Sequence, residues 1–313
     1  MGEWPLFRLR FSLKNCRKNM RRRIPMTVSA REVSPSVRPA PAGNLSTGLL
    51  KLIALFFMFI DHSGKVLFNN LSEMRILGRI AFPIYVWCMI VGFRRTRSVP
   101  RYLLRILLVG LISQPFYVLA LNTQGHLGIL IREIFAPLAE GLTFSGLKDV
   151  IYTVFLKKPN IFLSLFLGLA ALWGIREKKW LSQFLLPAAA LVLASYLNAD
   201  YGWKGVMLFI LLYAVQDSRP GIAAVMVAFF LYWGSSYSVT SSLFGIPVDP
   251  DKLPGCVSVL LKAFMRLETY ALLSLPFILV RFPKDVRLPK WVGYALYPAH
   301  LILLIILKLI IFG

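Results

Sequence analysis

The sequence predicts an all-α fold, a polytopic transmembrane helical bundle of about nine spans, in the range of eight to ten, behind a basic N-terminal tail. Three observations carry this. Hydrophobic residues make up 57% of the 313 positions and mean hydropathy is +0.66, more apolar than a water-soluble chain of this length needs to fill its core. The apolar residues fall in long runs, and the basic residues collect in the tail and in short connections between runs.

Crossing a bilayer core takes ~20 mainly apolar helical residues, with every backbone amide paired inside the helix. Runs that meet or approach this length lie at 49–67, 76–93, 102–121, 160–174, 181–197, 203–215, 221–237, 256–280 and 291–312. Several are shorter than the ideal, as in bundles whose helices are broken or shielded by neighbours. Between 126 and 158 the pattern is ambiguous, and an amphipathic or re-entrant helix or an additional span fits around 127–155. Residues 1–44 form a separate segment, broken by prolines and carrying Arg8, Arg10, Lys14, Arg17 and the run Arg21, Arg22, Arg23. It lacks the apolar stretch of a signal peptide and reads as a disordered cytoplasmic anchor on anionic lipid. The transmembrane domain then occupies 45–313.

The net charge of +22 raises the question of nucleic acid, but its charges alternate with apolar runs and match a cytoplasmic membrane face. The expected partner is therefore the lipid bilayer, and no nucleic acid. Arg94, Arg95, Arg97, Arg101 and Arg105 flank one connection, Arg176, Lys178 and Lys179 a second, and Arg281, Lys284, Arg287 and Lys290 a third. The connections at 198–202 and 238–254 are nearly free of Lys and Arg. The positive-inside rule then places the N-terminus in the cytoplasm, with the protein multi-pass in a cell membrane of the bacterial inner type. Cys16, Cys88 and Cys256 have no metal-ligand spacing, so neither zinc nor a disulfide framework is expected.

Ionisable groups inside apolar runs face a cavity or a partner, because lipid does not solvate them. Lys51, Ala54, Met58 and His62 follow helical spacing on one face of the first run. Asp61 points about a quarter turn away and orients His62 only if the helix loosens at Ser63-Gly64. His62 is either a structural histidine at a helix end or a general acid/base near neutral pH. Arg79 sits inside the second run between Gly78 and Pro83, and either pairs with Asp61 or holds an anionic substrate group. In the last run Tyr297 and His300 are i and i+3, placed to hydrogen-bond each other. Asp200 lies at the end of a span, and Arg266 and Glu268, being i and i+2, need separate partners. Walker and GxSxG motifs are absent, which argues against ATP-driven or serine-hydrolase chemistry.

The run from Lys51 to His62, then Gly78-Arg79 to Pro83, Gly92-Phe93-Arg94, Tyr102 to Arg105, Ser113-Gln114-Pro115, the apolar stretch after Asn160, Asp200-Tyr201-Gly202 and Tyr297-Pro298 to His300-Leu301 resemble, in order, the TraX family of membrane acetyltransferases. The resemblance covers roughly 49–307, and the long basic tail and the 126–158 connection depart from it. It implies acyl transfer from acetyl-CoA, as donor substrate, to an envelope acceptor, the processed pilin N-terminus or a glycan. Carried onto this chain, it implies His62 as catalytic base, Asp61 as its neighbour and Arg79 as a group that polarises the thioester. Lys51, Asp200, Tyr297 and His300 are expected to contact substrate, and Arg94, Arg95 and Arg97 to hold the CoA phosphates. The positive-inside rule accounts for those arginines without CoA. A transporter or flippase, or a non-enzymatic envelope assembly protein, is the alternative. The loop charges place His62 toward the outer half of the membrane, while acyl-CoA is made inside.

Overall fold

The computed structural model describes residues 40–68, 71–121, 143–177, 179–240, 242–243 and 246–312, together with 132 and 136. Most of the expected tail, and 126–131, 133–135 and 137–142 of the 126–158 connection, lie outside them. The first helix, α1 (Thr47–Val66), is unbroken and buries Leu50, Ala54 and Met58 at i, i+4 spacing, the stripe that His62 continues. Its first turn has no capping side chain of its own. Asp285, from the connection before the last helix, accepts from the amides of Gly48 at 3.0 Å and Leu49 at 3.1 Å. Gly48 is required by that approach, since a Cβ there would lie 1.8 Å from the Val286 carbonyl oxygen.

Helices α2 (Ser72–Gly78) and α3 (Ala81–Arg95) make one span with a break at Arg79-Ile80. Pro83 has no N–H to give the Arg79 carbonyl, so the ladder is interrupted where the arginine must turn inward. Helix α3 forms the centre of the molecule, with Phe82, Ile84, Trp87, Ile90 and Phe93 almost wholly enclosed. Residues just before α1 also lie within the packing, because Asn44 is buried and its carbonyl accepts from Trp87 Nε1 at 2.7 Å.

Helix α4 (Val99–Leu121) is a second full-length span. Helix α5 (Phe144–Ile151) runs through a π-helical turn, Tyr152–Leu156, and meets α6 (Ile161–Glu177) at 72°. Gln114 of α4 fixes that corner. Its Nε2 donates to the carbonyls of Val154 at 2.8 Å and Lys158 at 2.9 Å, and its Oε1 accepts from the Asn160 amide at 2.8 Å. Asn160 Nδ2 returns to the Gly110 carbonyl at 2.8 Å.

Helices α7 (Trp180–Tyr196), α8 (Gly202–Val215) and α9 (Arg219–Gly234) follow as short apolar rods. After a two-stranded hairpin, β1 (Ser242–Leu243) against β2 (Ile246–Pro247), come α10 (Gly255–Phe264), a 3-10 segment (Leu267–Ser274), α11 (Leu275–Leu279) and α12 (Lys290–Phe312). The run 256–280, expected as one span, is thus divided at the extended residue Arg266. Arg266 reaches carbonyls of the α9 end, Ser235 at 2.5 Å and Tyr237 at 3.0 Å, which pulls the chain out of helix.

Three described helices are long and apolar enough to cross a membrane, Ser72–Arg95, Val99–Leu121 and Trp291–Phe312, and a fourth if the bent pair counts as one span. The other apolar runs give helices of 10–17 residues, below the ~20 of a full crossing, apart from α1 with its 20 residues. The outward faces are nonetheless those of a membrane protein. Leu108 and Ile112 of α4, Phe184 and Leu185 of α7, and Leu309 and Ile310 of α12 are large apolar side chains left open to the surroundings.

Candidate functional site

An unbroken α1 separates Asp61 from His62. Asp61 turns toward α2, where its carboxylate meets Arg75 Nε at 3.3 Å and Arg79 Nη2 at 3.1 Å. It does not orient His62, because the helix stays regular through Ser63-Gly64. Gly78 makes that approach possible, since a Cβ there would lie 2.2 Å from the Asp61 Cβ. Arg79 is fully engaged. Nη1 donates to Glu268 Oε1 at 2.9 Å, Nη2 to Asp61, and Nε to the Arg75 carbonyl at 3.3 Å. A guanidinium held on three sides by its own chain is a clamp joining α1, α2 and the 3-10 segment. Glu268 is the partner that the sequence left unassigned; a carboxylate inside an apolar run was the available signal.

His62 turns instead to α12, where its Nδ1 lies 2.9 Å from His300 Nε2 and the two rings stack at 5.2 Å. This contact spans 238 positions and has no trace in local spacing. His300 Nδ1 is buried without a hydrogen-bond partner among the described residues. A proton on that nitrogen leaves Nε2 as acceptor for His62 Nδ1–H, and the lone pair of His62 Nε2 is then free. Tyr297 does not hydrogen-bond His300. Its ring stands edge-on to His300 at 5.1 Å and to Phe162 at 4.7 Å, and its hydroxyl is buried without a partner among the described residues.

Two cavities flank this pair. One, of about 480 Å³, contains His62, Asp61, Arg79, Asp200 and Glu268, with Tyr201 and Trp233 among its walls. The other, of about 490 Å³, is built from the opposite ends of the helices and carries Lys51, Arg95, Arg105 and Arg287. Met58, Ile161 and Tyr297 line both. The expected residues therefore divide. Asp200 is with His62, whereas Lys51 lies in the basic cavity. His300 lines neither and reaches the first only through His62. Of the three arginines expected to hold phosphates, Arg95 lines the basic cavity; Arg94 lies 3.9 Å from Asp217 and Arg97 is exposed, both outside it.

A family model described as TraX protein matches residues 46–308. A probable fimbrial assembly protein, FimC of serogroup H1, from Dichelobacter nodosus is 36% identical over 72 residues, 22% of this chain and 30% of that protein. The match thus spans under a third of that relative's length. An uncharacterized protein of Rickettsia prowazekii is 24% identical over 268 residues, 84% of this chain and 90% of the relative. No solved structure matches significantly.

Proposed function

Because the chain belongs to the TraX family, we propose that it is an integral membrane acyltransferase that moves an acetyl group from acetyl-CoA to an envelope acceptor, with His62 as general base. The observation that supports this most is the pair of cavities built from opposite ends of the helices and meeting at Met58, Ile161 and Tyr297 beside His62. A donor held at the basic end needs only to pass its thioester arm to that wall, and an acceptor on the other side is then within reach.

In this reading the CoA phosphates pair with Lys51, Arg95, Arg105 and Arg287. His62 Nε2 takes a proton from the acceptor amine or hydroxyl, whose lone pair forms a bond to the acyl carbon. The Tyr297 hydroxyl, unpartnered among the described residues, donates to the oxygen on which charge develops. The carbon–sulfur bond breaks, and the imidazolium returns the proton to the departing thiolate. His300 holds the His62 ring and its tautomer, which makes it a positioning residue.

The same charges orient the protein with its basic end in the cytoplasm of a bacterial inner membrane and the N-terminus inside. The shorter helices complete about nine crossings, shielded by their neighbours. The family and the similarity to a fimbrial assembly protein support a place in pilus or conjugation-related processes, with a pilus subunit or a glycan as acceptor.

A second reading follows from the same cavities, since two compartments divided by a thin wall also suit an alternating-access transporter. Purified protein in lipid, given labelled acetyl-CoA and envelope fractions, separates the two. Acyl transfer predicts label on an envelope molecule with wild type and a loss of at least about 100-fold with His62→Ala. Undiminished labelling by that variant contradicts His62 as base.

A further inference from the structure

Among the described residues, the charges lining the His62 cavity do not balance. Arg75 and Arg79 are met by Asp61 and Glu268. Lys65, Lys158 and Lys204 are left with Asp200 as the remaining carboxylate on the wall. None of the three lysines has a carboxylate within ion-pair distance among the described residues; Lys204 donates to Ser236 Oγ at 2.9 Å and lies over the Tyr232 ring. Lys65, Lys158 and Arg75 line the same cavity as Asp200 and Asp61, so like charges crowd the same space. The positive-inside rule does not explain them, because they stand at the end opposite Arg94, Arg95 and Arg105. An excess of two positive charges in a recess calls for a dianion, and a phosphate monoester carries nearly that charge near neutral pH.

We infer that the His62 cavity holds a phosphate group, borne by the molecule on which His62 acts and bound by Lys65 and Lys158. Lys65 follows His62 by three residues on α1 and shares its face. A phosphate on Lys65 therefore sets the rest of its molecule beside the His62 ring, while Asp200 across the cavity is placed to receive an amine or hydroxyl. Phosphate of this kind comes from a soluble ester or from a lipid that carries a phosphate monoester. The inference rests on the acyltransferase reading only for the reaction that follows binding.

Two measurements on the full chain in phosphatidylcholine nanodiscs test it. In the first, labelled inorganic phosphate is dialysed against the protein with excess CoA present. Saturable binding is expected, displaced by glucosamine 6-phosphate and not by glucosamine. Lys65→Gln/Lys158→Gln should weaken it at least about tenfold, and Lys65→Arg/Lys158→Arg should retain it. Absence of saturable binding to wild type overturns the inference, as does equal binding by the glutamine variant with CoA affinity unchanged. In the second, label from acetyl-CoA is followed to glucosamine 6-phosphate, to glucosamine, and to a lipid-linked glucosamine carrying a phosphate monoester added to the disc. Preference for either phosphate-bearing molecule supports the inference and identifies a soluble or a lipid source. Equal use of glucosamine and its phosphate overturns it. Phosphate binding that depends on the two lysines, with no transfer to any of the three, supports the site and counts against acyl transfer.

Discussion

At the scale of single residues, the molecule separates groups that hold the chain from groups left available. Arg79 belongs to the first kind. Removing it as Arg79→Ala strands Glu268 with little solvent and leaves Asp61 to Arg75, and about 3–5 kcal/mol of stability should be lost, measured by thermal unfolding in detergent. Neutralising the set together, as Arg79→Met with Asp61→Asn and Glu268→Gln, should restore much of that stability. Tyr297 belongs to the second kind. Its buried hydroxyl has no partner among the described residues, so Tyr297→Phe keeps the ring against Phe162 and His300 and removes an unsatisfied group. Melting temperature should hold or rise, while kcat for acetyl transfer should fall about 10-fold or more with KM little changed. A purely structural tyrosine would leave kcat unchanged.

Elements explain how those residues meet. Asp61 reaches Arg79 because Gly78 has no side chain in the way, and Gly78→Ala should destabilise by about 1–3 kcal/mol through that clash, read as a lower unfolding midpoint. Gln114 and Asn160 together satisfy the carbonyls and amides exposed where the chain bends 72° before α6. Gln114→Ala should loosen that corner and raise proteolysis near 152–160, with Gln114→Glu a weaker substitute because it donates no N–H.

The same elements account for how much was legible in the sequence. Helical runs and their limits follow from apolar periodicity and from Gly and Pro, so α1, the α2–α3 span, α4 and α12 emerge near their expected bounds. Intramembrane charge marked Asp61, Arg79 and Glu268 as costly residues in need of partners. Pairings across the bundle left no such trace. His62 with His300, Arg79 with Glu268 and Asp285 on the α1 amides join residues about 190–240 positions apart in the chain, and only packing decides them. Arg266 divided the run 256–280 because backbone carbonyls, invisible to a hydropathy pattern, attract it.

For the whole molecule, the account turns on direction. Basic residues gather at one end with Arg95, Arg105 and Arg287 around one cavity, and His62 opens into another built from the opposite ends of the helices. That arrangement predicts that donor and acceptor approach from opposite faces of the membrane and meet at Met58, Ile161 and Tyr297. Inverted membrane vesicles from expressing cells test this directly, since labelled acetyl-CoA added outside meets only the cytoplasmic face. The account predicts label on molecules enclosed in the vesicle lumen, shielded from impermeant reagents, and its loss with His62→Ala. Label confined to the outer face, or luminal label unchanged by His62→Ala, would contradict it.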